Sequence, residues 1–461
     1  MATPARVAVV GLDCGTPELL FDRHADDMPT LRRLTGQALW GPLRSVVPPI
    51  TMPAWSCMAA GLTPGELGVY AFRDHSPLGD DKLAFASAGA VEAPRLWDRL
   101  GAAGRASVVL GVPGTHPPSA IQGCMVSCCT APSTDAASTR PAEPRDELQQ
   151  GTGGSLPEVT GFHGDDKARV AQQVFDLTEQ RFALARHLAT TRPWDLFWFV
   201  DLGPDRLHHG FWSHCDPGHP RHRPGNRYAG MFTDYYRALD VHLASFLEVL
   251  PDDTAVLVVS DHGAQPMLGG FRVNQWLVDQ GLLVLAEVPA RPTPISQAKV
   301  DWARTTAWSD GGYYGRVFLN VEGREAEGTV PANRYEEVRE ELAVALESLV
   351  DHRGHRMGTR ALRPEGVHPE VRGAAPDLIV YFGDLRWRAV GSVGHGPGLF
   401  TFGDGAGTDD ANHAENGVFA LVGDGLPSGR QAGLSIYDVA PTLQRLLGLP
   451  AVPGQRGRIV A

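Results

Sequence analysis

Short, largely apolar runs rich in β-branched residues recur along the chain: Val7 to Leu12, Ala106 to Val112, Leu196 to Val200, Ala255 to Ser260, Asp377 to Phe382 and Gly417 to Val422. They do not alternate apolar with polar positions, which is the pattern of strands buried on both faces. Long segments separate them. Within those segments, Val170 to His187 and Tyr335 to Val350 carry apolar residues at helical spacing. Strands alternating with helices predict an α/β fold, with a largely parallel central sheet and helices on both of its faces.

The rhythm breaks between Gly270 and Val330, where turn signals and short apolar runs crowd together. The pattern predicts a core over 1–269 and 331–461, with 270–330 as an inserted cap or subdomain. Residues 131–157 are rich in Ser, Thr, Pro, Gly and charge, and are expected to form a surface excursion. No internal repeat is visible.

Composition narrows the function classes. A chain of 461 residues with 43% hydrophobic and 20% charged residues is long enough for a large core plus an insertion. The net charge of -12 argues against a nucleic-acid partner, since an acidic surface repels a phosphate backbone. Bound metal ions can still reverse the field locally and admit a phosphate. The six cysteines are too sparse for a disulfide scaffold, lack zinc-ribbon or redox spacing, and are expected to be small buried residues. The N-terminal residues lack the pattern of a signal peptide, and no stretch is long enough to span a membrane. A cytoplasmic protein with no membrane partner is the expectation.

Candidate chemistry gathers where strands end. Asp13 closes the first strand, and ligands of open α/β sheets bind beyond the carboxyl ends of strands. Taken alone, it reads first as a turn or helix-capping Asp. Asp205 and His209 follow the strand ending at Val200. Four residues apart, they share one face of a helix and could chelate an ion, whereas His208 points elsewhere. Asp261 and His262 emerge together from the strand Ala255 to Ser260. A carboxylate desolvated there needs a cationic partner. His413 sits just before the strand Gly417 to Val422. Thr51 precedes Pro53 at the start of a helix-like run to Gly61. There it is either an ordinary N-cap or a hydroxyl placed where free amides favour negative charge.

In this order, the segments GLDCGTP, PPITMPAWSCMAAGLTPGELGVYAF, DRLHHGFW, VVSDHG and NHAENGVFALVG resemble the metal and nucleophile motifs of the type I phosphodiesterase/nucleotide pyrophosphatase branch of the alkaline phosphatase superfamily. IYDVAPTLQRLLGLP resembles that family's C-terminal helix. The resemblance implies an alkaline-phosphatase-like three-layer sandwich and a two-metal hydrolase acting on a small phosphate ester or nucleotide. It implies that Asp205, His209 and His413 hold one ion and Asp13, Asp261 and His262 the other. Thr51 would be the nucleophile, passing through a phospho-threonine. Carboxylate and imidazole ligands suit zinc, with manganese as the alternative. The sequence departs from the family at Leu67, where the element Pro64-Gly65-Glu66-Leu67-Gly68 replaces a PGxHG pattern and His is usual, and at Cys14, where Gly is common. Neither position is a metal ligand in the family, so these departures bear on substrate preference. The same site serves phosphomonoesterases and phosphoryl- or phosphonate-transfer enzymes. A catalytically inactive binding domain is a further reading, disfavoured because the whole ligand set and the threonine are present.

Overall fold

The structure, a computed structural model, describes residues 6–74, 84–85, 88–128, 138–141, 158–162, 164, 166–402 and 409–461. The chain divides into two compact units. The first comprises Met1–Leu67, Ala86–Ala264 and His413–Ala461, and the second Gly68–Phe85 and Gln265–Asn412. Among the described residues, no helix is long and apolar enough to cross a membrane.

Among the described residues, the first unit is built on a ten-stranded sheet. Its strands are β1 (Arg6–Leu12), β2 (Leu39–Arg44), β3 (Ser107–Leu110), β4 (Gly123–Val126), β5 (Thr139–Arg140), β6 (Leu196–Asp201) and β7 (Thr254–Val259). After the second unit's β8 (Ala307–Asp310), β9 (Gly315–Leu319), β10 (Arg360–Leu362) and β11 (Leu378–Tyr381), the chain returns with β12 (Asn416–Val422), β13 (Gly429–Arg430) and β14 (Leu434–Ser435). The sheet order is β13-β2-β12-β7-β1-β6-β3-β4-β5, with β14 also pairing β2. From β7 to β4 every pairing is parallel. The helices used below are α1 (Thr51–Ala60), α2 (Lys167–Thr191), α3 (Gly203–Cys215), α4 (Met231–Leu247) and α5 (Tyr335–Glu347).

Side-chain alternation along β6 explains why helices cover both faces. Phe197 and Phe199 point to one face and pack edge-on or tilted against Phe246 of α4, and Phe199 also meets Phe182 of α2. Trp198 points the other way and meets Trp97 edge to face at 5.7 Å. Gly11 of β1, in register with Val200, has no side chain on the Trp198 face. That gap admits the Trp55 indole of α1: a Cβ on Gly11 would lie 2.6 Å from Trp55 Cη2 and 2.8 Å from Val200 Cγ2.

Two expected strands take different roles. Gly417 to Val422 lies within β12, which runs antiparallel to both β2 and β7. It follows directly on His413, beside the carboxyl end of β7, and must therefore run back against it. Asp377 to Phe382 is not a core strand. It forms β11 of the second unit's antiparallel sheet, ordered β8-β9-β11-β10. The segment 270–330 falls inside this second unit, which extends further: β10 and β11 complete the sheet begun by β8 and β9. Residues 331–412 therefore belong with it, as does α5, not with the first unit. Of the excursion expected over 131–157, only 138–141 are among the described residues, where Thr139–Arg140 forms the edge strand β5; the remainder lies outside them.

Gly11→Ala should destabilise the protein by about 1–3 kcal/mol, because the extra methyl has to displace Trp55 or Val200 from a filled core. Urea denaturation of the two proteins measures this. A neutral substitution would show that α1 does not depend on close packing at Gly11.

Candidate metal and nucleophile site

The candidate residues all fall in the first unit, at or beside the carboxyl ends of its strands. Asp13 follows β1, Asp261 and His262 follow β7, and Asp205 and His209 lie on α3, which starts two residues after β6. Thr51 opens α1, and His413 precedes β12. None is more than 6% exposed. Parallel pairing of β7, β1 and β6 in register brings their ends level, and the Asp13 amide donates to the Asp201 carbonyl at 2.9 Å. The Asp201 carboxylate turns the chain into α3. It accepts the Gly203 amide at 3.1 Å and the Thr178 hydroxyl at 2.8 Å. Any side chain at Gly203 would collide with the hydroxyls of Tyr235 and Thr178.

Asp13, Asp261 and His262 each offer a ligand atom, all within 4.8 Å of one another. Their other polar atoms are held. Asp13 Oδ2 accepts the Trp55 indole N–H at 2.8 Å, and Asp261 Oδ1 accepts the Cys14 amide at 3.2 Å. His262 Nδ1 lies 3.1 Å from the Gly263 carbonyl. A carbonyl only accepts, so Nδ1 carries the proton and Nε2 presents a lone pair. Burial pushes the His262 pKa down to about 4, keeping the ring neutral. Its Nε2 is 3.1 Å from Asp261 Oδ2 and 3.1 Å from Thr51 Oγ1. With the ring neutral, the first contact sets lone pair against lone pair, while in the second the threonine hydroxyl donates. Thr51 is the first residue of α1, with Ile50 at the N-cap, and its hydroxyl bonds His262, so it is not the ordinary N-cap that the sequence alone allowed.

A second group lies alongside. Asp205 Oδ1 is 3.2 Å from His209 Nε2 and 3.9 Å from His413 Nε2. His413 Nδ1 lies 2.7 Å from the Pro49 carbonyl, which turns its Nε2 the same way as in His262. The His262 and His413 rings stack at 3.8 Å. Burial, with His262 and His209 adding to it, holds the His413 pKa well below its usual value. The Cys14 thiol also belongs here: its Sγ, an Asp205 oxygen and a His209 nitrogen lie within 4.8 Å of one another.

The electrostatics favour a bound cation. Burial, then the Asp261 and Asp205 charges, raise the Asp13 pKa well above the usual carboxylate range. Burial likewise raises Asp261, over the opposing hydrogen bond from Cys14. Burial also pushes Asp205 up, but His209, Arg206 and His413 outweigh it and hold that carboxyl well down. Asp13 Oδ1, Asp205 Oδ1 and Asp261 Oδ2 are buried and accept no hydrogen bond. Buried carboxylate oxygens without donors, facing imidazole lone pairs, are what divalent ions require, so the residues present fit the metal site that the family implies.

Other residues weighed from the sequence have structural partners. His208 points away from the group and bonds the Tyr236 hydroxyl at 2.7 Å. Arg206 is engaged by Asp205 and by Glu158 at 2.9 Å. Trp212 is buried and donates to Asp216. Glu66 accepts the Thr63 amide and hydroxyl and pairs with Arg456, so it locks the turn after α1. Sequence reasoning missed Trp55 as a holder of Asp13, and it set Cys14 aside. The unusual residue in GLDCGTP was the available signal for Cys14.

Asp261→Asn tests the electrostatic account. Asn can keep the Cys14 bond and turn its amide toward His262 Nε2, removing an uncompensated charge. The metal-free variant should gain roughly 1 kcal/mol or more at neutral pH. Since Asp261 is raised in the folded state, the metal-free wild type should lose stability as pH climbs from 3.8 toward that raised value. The variant should lose less. Thermal melts with chelator across pH check both, and a less stable variant would contradict the account.

Comparisons with known proteins agree with this architecture. The family model for type I phosphodiesterase/nucleotide pyrophosphatase matches residues 7–413. Human ectonucleotide pyrophosphatase/phosphodiesterase 5 is similar in structure, with a TM-score of 0.56 at 15% identity over 98% of this chain and 97% of that one. The murine protein, as an inactive variant in complex with AMP, gives a TM-score of 0.56 at 14% identity over 98% and 97%. Phosphonoacetate hydrolase from Sinorhizobium meliloti 1021, in complex with phosphonoformate, gives a TM-score of 0.60 at 16% identity over 95% and 94%. At these identities the likeness is one of fold. No curated protein matches the chain. The chain belongs to the type I phosphodiesterase/nucleotide pyrophosphatase family, a metal-dependent family of phosphoric ester hydrolases in the alkaline phosphatase superfamily.

Proposed function

We propose that this protein hydrolyses small phosphodiesters or nucleotide anhydrides, with Thr51 as the nucleophile and two divalent ions, zinc or manganese, as cofactors. Asp13, Asp261 and His262 hold one ion, and Asp205, His209 and His413 the other. The observation that carries the reading is the Thr51 hydroxyl. It is buried on the first residue of a helix whose N-cap is Ile50, and it lies 3.1 Å from His262 Nε2, in a group of carboxylates that each keep an oxygen accepting no hydrogen bond.

The ions supply positive charge, which lowers the pKa of a nearby hydroxyl and neutralises the phosphate oxygens. The chain supplies the rest. Burial in α1 fixes Thr51, so its oxygen approaches phosphorus with little loss of freedom. Thr51 gives up its proton to solvent, its oxygen bonds to phosphorus, and the bond to the leaving oxygen breaks. Water then cleaves the phospho-threonine and regenerates the hydroxyl. First-turn amides of Thr51 and Met52 point along the helix axis toward developing negative charge. Trp55 and the Cys14 amide hold Asp13 and Asp261 in place throughout. The family membership supports a phosphoric ester as substrate, and the AMP named with the murine relative is compatible with a nucleotide.

Thr51→Ala should lower turnover of bis-p-nitrophenyl phosphate by at least about a thousandfold with both ions bound. Thr51→Ser, which keeps a hydroxyl, should retain a measurable rate. Steady-state assays with added zinc or manganese check this, alongside p-nitrophenyl phosphate and phosphonoacetate. Full activity in Thr51→Ala would overturn the nucleophile. Turnover of the monoester or the phosphonate alone would overturn the substrate class while leaving the hydrolytic chemistry standing.

A further inference from the structure

Cys14 occupies a position that a cysteine fills at a cost. Its φ of 63° lies in the left-handed region, disfavoured for any residue with a Cβ. It is completely buried, yet its surroundings are not apolar. Its amide donates to Asp261 Oδ1 at 3.2 Å, while its Sγ is 3.4 Å from the Gly263 carbonyl. The same Sγ shares a cluster with Asp205 and His209 in which every ligand atom lies within 4.8 Å of the others. Asp205, a member of that cluster, keeps one buried oxygen, Oδ1, that accepts no hydrogen bond. An apolar filler would not need to face a buried carboxylate, and a glycine would relieve the backbone.

We propose that the Cys14 sulfur is a ligand of the ion held by Asp205, His209 and His413, so that the two metal sites are chemically unequal. The inference rests on the two-ion reading above. One site then offers thiolate, carboxylate and imidazole donors, a set that selects borderline-soft ions such as zinc, cobalt or cadmium. The other, with Asp13, Asp261 and His262, offers only carboxylate and imidazole and tolerates harder ions such as manganese. When the sulfur–metal bond forms, the thiol proton leaves to solvent and no oxidation state changes. Because the Cys14 amide bonds Asp261 while its side chain faces Asp205, one residue touches a ligand of each ion.

Cobalt(II) titration of the chelator-stripped full-length protein tests the proposal. Visible d–d bands report how many ions bind, and a near-ultraviolet sulfur-to-cobalt charge-transfer band reports the thiolate. The wild type should bind two cobalt ions per chain and show a charge-transfer band that saturates with one of them. Cys14→Gly and Cys14→Ser should keep the d–d bands, lose the charge-transfer band, and bind zinc at one site at least roughly tenfold more weakly. The glycine variant accepts the left-handed backbone and should fold as stably as the wild type without metal. Two cobalt ions bound by the wild type with no charge-transfer band would overturn the thiolate ligand and leave the two-ion reading intact. A band that persists in both variants would do the same. No cobalt binding by folded wild type would overturn the two-ion reading and this inference together.

Discussion

Carboxylates brought together out of water constrain the rest of this structure. Asp13 and Asp261 sit at the ends of adjacent parallel strands, and Asp205 one helical turn beyond a third. Each keeps an oxygen that accepts no hydrogen bond. Removing an ionised carboxylate from water costs several kcal/mol unless a partner offsets it. Asp205 has Arg206 and the histidines, whereas the Asp261 and Asp205 charges add to the burden on Asp13, and the Asp205 charge adds to the burden on Asp261. The fold tolerates this arrangement because its large apolar sheet stabilises the chain independently of the site. The arrangement becomes favourable once divalent positive charge is present.

The surrounding framework holds the unfavourable geometry in place. Gly11 leaves room for Trp55, whose indole fixes Asp13. Asp201, Thr178 and Gly203 turn the chain tightly enough for α3 to present Asp205 and His209 on one face. Carbonyls of Gly263 and Pro49 fix the tautomers of His262 and His413. Each of these contacts joins distant parts of the chain or sharply restricts local backbone, so the ligand atoms converge before any ion arrives.

Much of this was legible in the sequence. The strands β1, β6 and β7 announced themselves as short apolar runs, and the residues after them stood out because Asp next to His at the end of a buried strand has few bland explanations. Asp205 and His209 were readable as a pair from their spacing alone. His413 was not: as a loop histidine it took meaning only from the resemblance. Less was legible where tertiary contact decides. The run Asp377 to Phe382 looks the same whether it lies in a parallel core or, as here, in an antiparallel sheet of the second unit. Trp55 reads as core packing, since its bond to Asp13 spans 42 positions. Cys14 looked inert because its neighbours in space, Asp205 and His209, are remote in sequence.

The central claim is that these buried carboxylates and imidazoles exist to hold two ions. The most direct measurement is anomalous diffraction at the zinc edge from crystals of zinc-loaded protein. The account predicts two peaks about 4 Å apart, one against Asp13, Asp261 and His262 and the other against Asp205, His209 and His413. A folded chain from zinc-saturated solution that shows no peak among these residues would contradict it.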